Sequence, residues 1–168
     1  KYTAHELHEK LVNKEITAVE LTNAVYDRIA AVDEQVNAYI SLSKEEALAK
    51  AAEVDAKIAA GEAIAPLAGI PVVFKDNINI YGQVTSCASK MLQGVETVFD
   101  AHVTEELRKE DAVFLGKANM AEFSIGNTTD NSYNGAAHNP WNLNCTTGGC
   151  ATAAAVAAGE AIWALASD

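Results

Sequence analysis

Apolar positions recur at helical spacing through the first third of the chain. Thr17-Ala18-Val19-Glu20 is followed by Leu21, Ala24, Val25, Ile29 and Val32, which keep one face apolar at a period of 3.6 residues. Ser43-Lys44-Glu45-Glu46 leads into Ala47, Leu48, Ala51, Val54, Ile58 and Ala59 in the same rhythm. Both leaders, and Thr3-Ala4-His5-Glu6 before them, have the form of a capping box. In each, a hydroxyl can accept from an orphan backbone N–H while the glutamate reaches back. Residues 1–65 are therefore predicted to be helical, as scaffold rather than chemistry.

The rhythm changes at Pro66. Leu67-Ala68-Gly69-Ile70-Pro71-Val72-Val73-Phe74 is apolar, β-branched and punctuated by Gly and Pro, the pattern of a buried strand with its lead-in. A short helix is predicted from Asp100, as cap, to Glu110, and a second buried strand over Ala112-Val113-Phe114-Leu115-Gly116. Asn119 to Phe123 suits one or two helical turns, and the Asn-, Thr- and Gly-rich stretch from Gly126 to Gly149 suits a loop. Ala151 to Ala158 reads as a small-residue helix and Ala161-Ile162-Trp163-Ala164-Leu165 as a third strand. Strands separated by helices predict an α/β fold, with N-terminal helices followed by part of a mixed sheet covered by helices. No repeat or linker divides residues 1–168, so 1–65 and 66–168 are read as parts of one domain.

Composition narrows the class. With 49% hydrophobic and 21% charged residues the 168-residue chain is ordinary for a globular domain, neither disordered nor fibrous. The longest apolar run, Ala153 to Ala158, is far short of the roughly 20 residues of a membrane span, so no membrane partner is expected. No basic-then-apolar leader follows Lys1, and a first residue other than Met points to a natural N-terminus further upstream. The net charge of −11 repels phosphate, so direct nucleic-acid binding is not expected. Cys87, Cys145 and Cys150 form no CxxC pair, and no His lies near the last two at zinc spacing. Reduced thiols, a cytoplasmic location, and neither metal nor other cofactor are expected.

Two places carry candidate chemistry. Lys75 ends the first predicted strand, where partial desolvation can make a neutral amine available as a base. The plainer alternative is a lysine whose stem lies on apolar surface while its ammonium reaches water. Thr146-Thr147-Gly148-Gly149-Cys150 runs straight into the Ala-rich helix. Glycines there let backbone approach a ligand, or simply turn the chain onto a tightly packed helix. The loop lacks the Gly-Lys-Ser/Thr ending of a phosphate-binding P-loop.

Taken together, these segments resemble the amidase-signature family. Leu67-Ala68-Gly69-Ile70-Pro71-Val72-Val73-Phe74-Lys75-Asp76-Asn77-Ile78 is similar to the segment around that family's catalytic lysine. Thr85 to Leu92, Gly116-Lys117-Ala118-Asn119-Met120-Ala121-Glu122-Phe123, Asn139-Pro140-Trp141-Asn142-Leu143 and Ala153 to Glu160 resemble its amidotransferase members. The resemblance implies a Ser-cisSer-Lys triad. In it the lysine deprotonates a bridging serine, which activates the serine that attacks an amide carbonyl and releases ammonia. It also implies a small amide substrate such as glutamine, and a partner subunit that uses the ammonia to amidate glutamate on tRNA.

Carried over position by position, Lys75 matches the catalytic lysine. The family's Gly-Gly-Ser-Ser-Gly-Gly-Ser loop is here Gly148-Gly149-Cys150-Ala151-Thr152, two residues shorter and without serine. Counting forward from Lys75 puts Cys150 at the bridging position, and counting back from the Ala-rich helix puts Gly148 there. Cys150 is preferred because it keeps the preceding Gly-Gly, and Thr147, Gly148 and Gly149 become the substrate loop. Ser167-Asp168 matches the start of the segment that leads to the nucleophile, so the nucleophile is expected beyond these residues. The expectation is a partial or inactive amidase domain, with self-association or a completing subunit to cover its open sheet edge. A binding module, or a rebuilt Cys150–Lys75 site, is the alternative.

Overall fold

A computed structural model describes residues 2–167. Helices α1 (Ala4–Val12), α2 (Ala18–Val36) and α3 (Lys44–Ala60) form the N-terminal part. The capping boxes at Thr3 and Thr17 are both complete. The one expected at Ser43 is absent: its side chain makes no cap bond, and its backbone N–H is drawn instead to the carbonyl of Leu115. That bond belongs to a strand the sequence pattern does not reveal. Residues 1–65 are not wholly helical, because β1 (Tyr39–Leu42) lies between α2 and α3 and pairs antiparallel with β3 (Val113–Ala118). Four residues between two strong helical periods carry too little alternation to declare a strand.

The remaining elements of the main sheet are β2 (Pro71–Lys75) and β6 (Trp163–Leu165), both parallel to their neighbours, in the order β1-β3-β2-β6. The sheet is mixed and helix-covered, as expected. On one face Val73, Val113 and Leu115 join the apolar sides of α1, α2, α3 and α5 (Thr152–Ala158). On the other, Val72, Phe74 and Phe114 pack with Leu107 of α4 (His102–Lys109). Phe74 and Phe114 meet edge-on with ring centroids 4.7 Å apart.

Three smaller expectations are corrected. Asp100 does not cap α4, whose N-cap is Ala101; its carboxylate accepts from Tyr81 N–H and Arg108 Nε instead. Asn119–Phe123 is not helical beyond a single 3-10 turn at Glu122–Ser124. The stretch 126–149 is not all loop, since β4 (His138–Asn139) and β5 (Asn142–Thr146) make a small hairpin. Asn and Thr disguise that hairpin by lowering its apolar content.

A bulge in β3 shapes the site. Val72 pairs with Phe114 but Val73 pairs with Gly116, so one extra residue is accommodated beside β2. The bulge reverses the alternation, and Lys117, beside Phe74, turns toward the face that carries Asp76 rather than the face of Leu115. Gly116 is required there: its φ is +151°, and a Cβ would stand 2.1 Å from Ser41 O.

Candidate functional site

Lys75 is the last residue of β2, and its side chain is buried, with 4% of the residue exposed. Nζ lies 2.9 Å from both the carbonyl oxygen and the Oγ of Ser167, which follows β6 on the adjacent strand. Asn77 Nδ2 donates to the same Oγ at 2.8 Å and to Ser124 Oγ at 3.3 Å. The parallel pairing of β2 and β6 explains the meeting: both strands end at one sheet edge, and the residues just past them converge.

On the opposite face Asp76 is buried and ties that edge together. Its Oδ2 accepts from Ser86 N–H at 3.1 Å, Ser86 Oγ at 2.5 Å and Ala88 N–H at 3.3 Å, while Oδ1 faces Lys117 Nζ at 3.3 Å. Lys117 Nζ also donates to Thr85 Oγ1 at 2.9 Å. Burial holds the Lys117 amine below its ordinary range, opposed by Asp76. Cys87 borders this group. Burial, and after it the Asp76 carboxylate, push its thiol up, while Lys117 and Lys75 pull the other way.

Two pairs of non-glycine residues adopt left-handed backbone here: Cys87 and Ala88 at φ 50° and 53°, Phe123 and Ser124 at 52° and 61°. They are locked together by Phe123 N–H donating to Cys87 O at 3.0 Å and Ser89 Oγ to Glu122 Oε1 at 2.6 Å. Backbone in such conformations persists where surrounding bonds over-determine it, and such places gather at functional sites.

The glycine loop joins the same edge through the segment after β3. Ala118 pairs with Lys75, and just beyond it Ala121 N–H donates to Gly149 O while Ala151 N–H donates to Asn119 O, each at 2.9 Å. A Cβ on Gly149 would stand 2.7 Å from Gly126 O, so this close approach explains the glycine. Gly148 takes φ +86°, with its N–H on Thr146 Oγ1 and its carbonyl oxygen accepting from Thr147 Oγ1. Cys150 Sγ lies 3.0 Å from Thr152 Oγ1. The lysine and the loop thus occupy one end of the sheet, yet the hydrogen bonds of the Lys75 amine go to Ser167. No cis peptide and no metal-ligand cluster of His, Cys, Asp and Glu occurs among the described residues. Nor is any helix there long and apolar enough to cross a membrane.

Sequence pattern singles out Lys75 and the loop but not Asp76, Asn77, Lys117, Ser124 and Ser167 as members of the cluster. Lys117 does leave a signal: a charge inside the apolar run Val113–Ala118.

The geometry agrees with what known proteins show. Residues 20–168 match the family model described as Amidase. The chain is 49% identical over 170 residues to the A subunit of glutamyl-tRNA(Gln) amidotransferase from Clostridium botulinum (strain Kyoto / Type A2), covering all of this chain and 35% of that protein. It is 49% identical to the corresponding protein of Desulforamulus reducens, covering 99% of this chain and 35% of the relative. The native peptide amidase of Stenotrophomonas maltophilia superimposes with a TM-score of 0.87 at 34% identity, over 96% of this chain and 35% of that one. The chain spans about a third of the length of the curated relatives it matches. A buried strand-end lysine, a glycine loop stitched beside it and a mixed sheet under helices are thus shared features, and the chain belongs to the amidase family.

Proposed function

We propose that this chain supplies the lysine side of an amide-hydrolysing site for a small amide such as glutamine, resembling the ammonia-releasing step of tRNA-dependent glutamate amidation. The observation that carries the reading is the buried Lys75 amine within 2.9 Å of a hydroxyl. A desolvated amine next to a hydroxyl is the base half of nucleophilic amide cleavage. The lysine takes the proton, the oxygen attacks the carbonyl, and the amide nitrogen leaves as ammonia. The names of the relatives support glutamine as amide donor and, as partner, another component of an amidotransferase. The acidic charge of −11 supports leaving tRNA contact to that partner, and the reduced thiols support a cytoplasmic setting.

The 168 residues hold no serine at Gly148 or Cys150, and the family's nucleophile segment is represented only by its first residues. On its own the chain is therefore expected to release no ammonia from glutamine or asparagine over hours. Mixed with a polypeptide comprising the remaining two-thirds of the Desulforamulus reducens relative, it is expected to give ammonia release that disappears on Lys75→Ala. Turnover that survives Lys75→Ala overturns the reading. A complex that forms but never releases ammonia overturns it in favour of a non-catalytic binding module.

A further inference from the structure

Lys75 has a hydroxyl partner that the family's triad does not use. We infer that Ser167 and Lys75 form a serine–lysine pair in which Ser167 Oγ is a nucleophile toward short-chain activated acyl esters. The geometry has three parts. First, the two contacts of Lys75 Nζ, both 2.9 Å, are the pair a neutral amine makes: its lone pair accepts the Oγ–H while one N–H donates to the Ser167 carbonyl. Second, Asn77 Nδ2 donates to Oγ at 2.8 Å, which steadies the oxygen as its proton leaves and keeps the second lone pair free for attack. Third, the base is enclosed and the nucleophile is open: Lys75 is buried and Ser167 exposed. Asn77 also holds Ser124, whose neighbours Phe123 and Ile125 present exposed apolar side chains, 42% and 73% accessible, on which a short acyl chain can rest.

In acylation the Oγ–carbon bond forms and the bond from the acyl carbon to the ester oxygen breaks. The Oγ proton moves to Lys75 Nζ, leaving an ammonium, and the alcohol part departs as its anion. No oxidant or further reactant enters, and charge is conserved. Only the amine, Ser167 and Asn77 take part; neither glutamine nor a completing polypeptide is needed.

The test uses 4-nitrophenyl acetate with the 168-residue chain, followed by mass mapping of the acetylated residue. A single acetyl group on Ser167 is expected, forming faster as pH rises while Lys75 gives up its proton. Lys75→Met is expected to slow it about 100-fold, the low end of what a positioned base supplies. Ser167→Ala removes the label. Lys75→Arg, which keeps a buried cation but cannot deprotonate near neutral pH, guards against a misfolded Lys75→Met and is expected to be as slow. Acetyl found on Lys75 or a cysteine in place of Ser167 overturns the inference, as does a Ser167 rate unchanged by both lysine variants. Ammonia release plays no part in the readout, so failure of the glutamine reading leaves this result standing and the reverse also holds.

Discussion

Asp76 and Lys117 face each other at 3.3 Å with side chains only 1% and 0% exposed, joining the end of β2 to the bulged end of β3 directly behind Lys75. Each buried charge is compensated by the other and by the hydroxyls of Ser86 and Thr85. Removing one partner strands the other in a dry interior, which typically costs about 3–5 kcal/mol. Lys117→Met and Asp76→Asn are each expected to lower unfolding stability by that order, measured by urea denaturation. The double variant is expected to lose less than the sum. Additive losses show that the two charges are not coupled.

Gly116→Ala is expected to cost roughly 3 kcal/mol or more, the upper end for overpacking, because its Cβ would meet backbone of β1. Gly61, which ends α3 at φ +79° with nothing within 4 Å, is the control: Gly61→Ala is expected to cost only about 1 kcal/mol of backbone strain. Equal melting shifts in the two variants refute the bulge as a packing requirement.

Glu160 sets a pH dependence. It is fully buried between α5 and the end of α2, and burial, reinforced by Asp33, pushes its carboxyl up to about 8, with Arg28 opposing. With both carboxyls ionised Glu160 finds no donor; a proton held on Glu160 makes the bond to Asp33. Asp33 is itself raised by burial and held partly in check by the Ala38 and Tyr39 N–H groups. Tyr39, whose hydroxyl donates to the Glu160 carbonyl, is raised by burial and by both carboxyls. Between the ordinary glutamate range and about pH 8 the unfolded chain has released a proton that the native chain keeps, so stability falls as pH rises. Glu160→Gln is expected to flatten that slope, read from denaturation midpoints at about pH 5, 6, 7 and 8. A slope the variant leaves intact places the titration elsewhere.

Alkylation distinguishes the three thiols. Cys145 is exposed, whereas Cys87 is half-buried with its thiol pushed up, so iodoacetamide at pH 7 is expected to modify Cys145 first and Cys87 last. Cys150 contacts Thr152 while Lys75 is bonded to Ser167, so Lys75→Met is expected to leave the Cys150 rate unchanged. A marked slowing of Cys150 in that variant, followed by mass spectrometry, supports the rebuilt Cys150–Lys75 site instead.

What was legible in the sequence was whatever nearest neighbours along the chain decide. The caps at Thr3 and Thr17, the apolar faces of α2 and α3, and the β-branched run before Lys75 are local patterns, and each formed as its pattern requires. The ordered motifs also placed Lys75 and the Gly148–Cys150 loop in one family, since a motif is local too. β1 was not legible because four residues become a strand only when β3 offers its edge, and Ser43 lost its cap for the same reason.

By itself, then, the sequence determined the helices, the buried strands, the α/β class and the lysine. Tertiary structure alone decided which groups the lysine meets. Ser167 lies 92 positions from Lys75, and Lys117 lies 41 from Asp76 (117 − 76), yet each pair is in contact. Those meetings depend on β6 lying parallel beside β2 and on one extra residue in β3. Strand order and register are settled by packing across the whole sheet, so no segment of the chain records them alone.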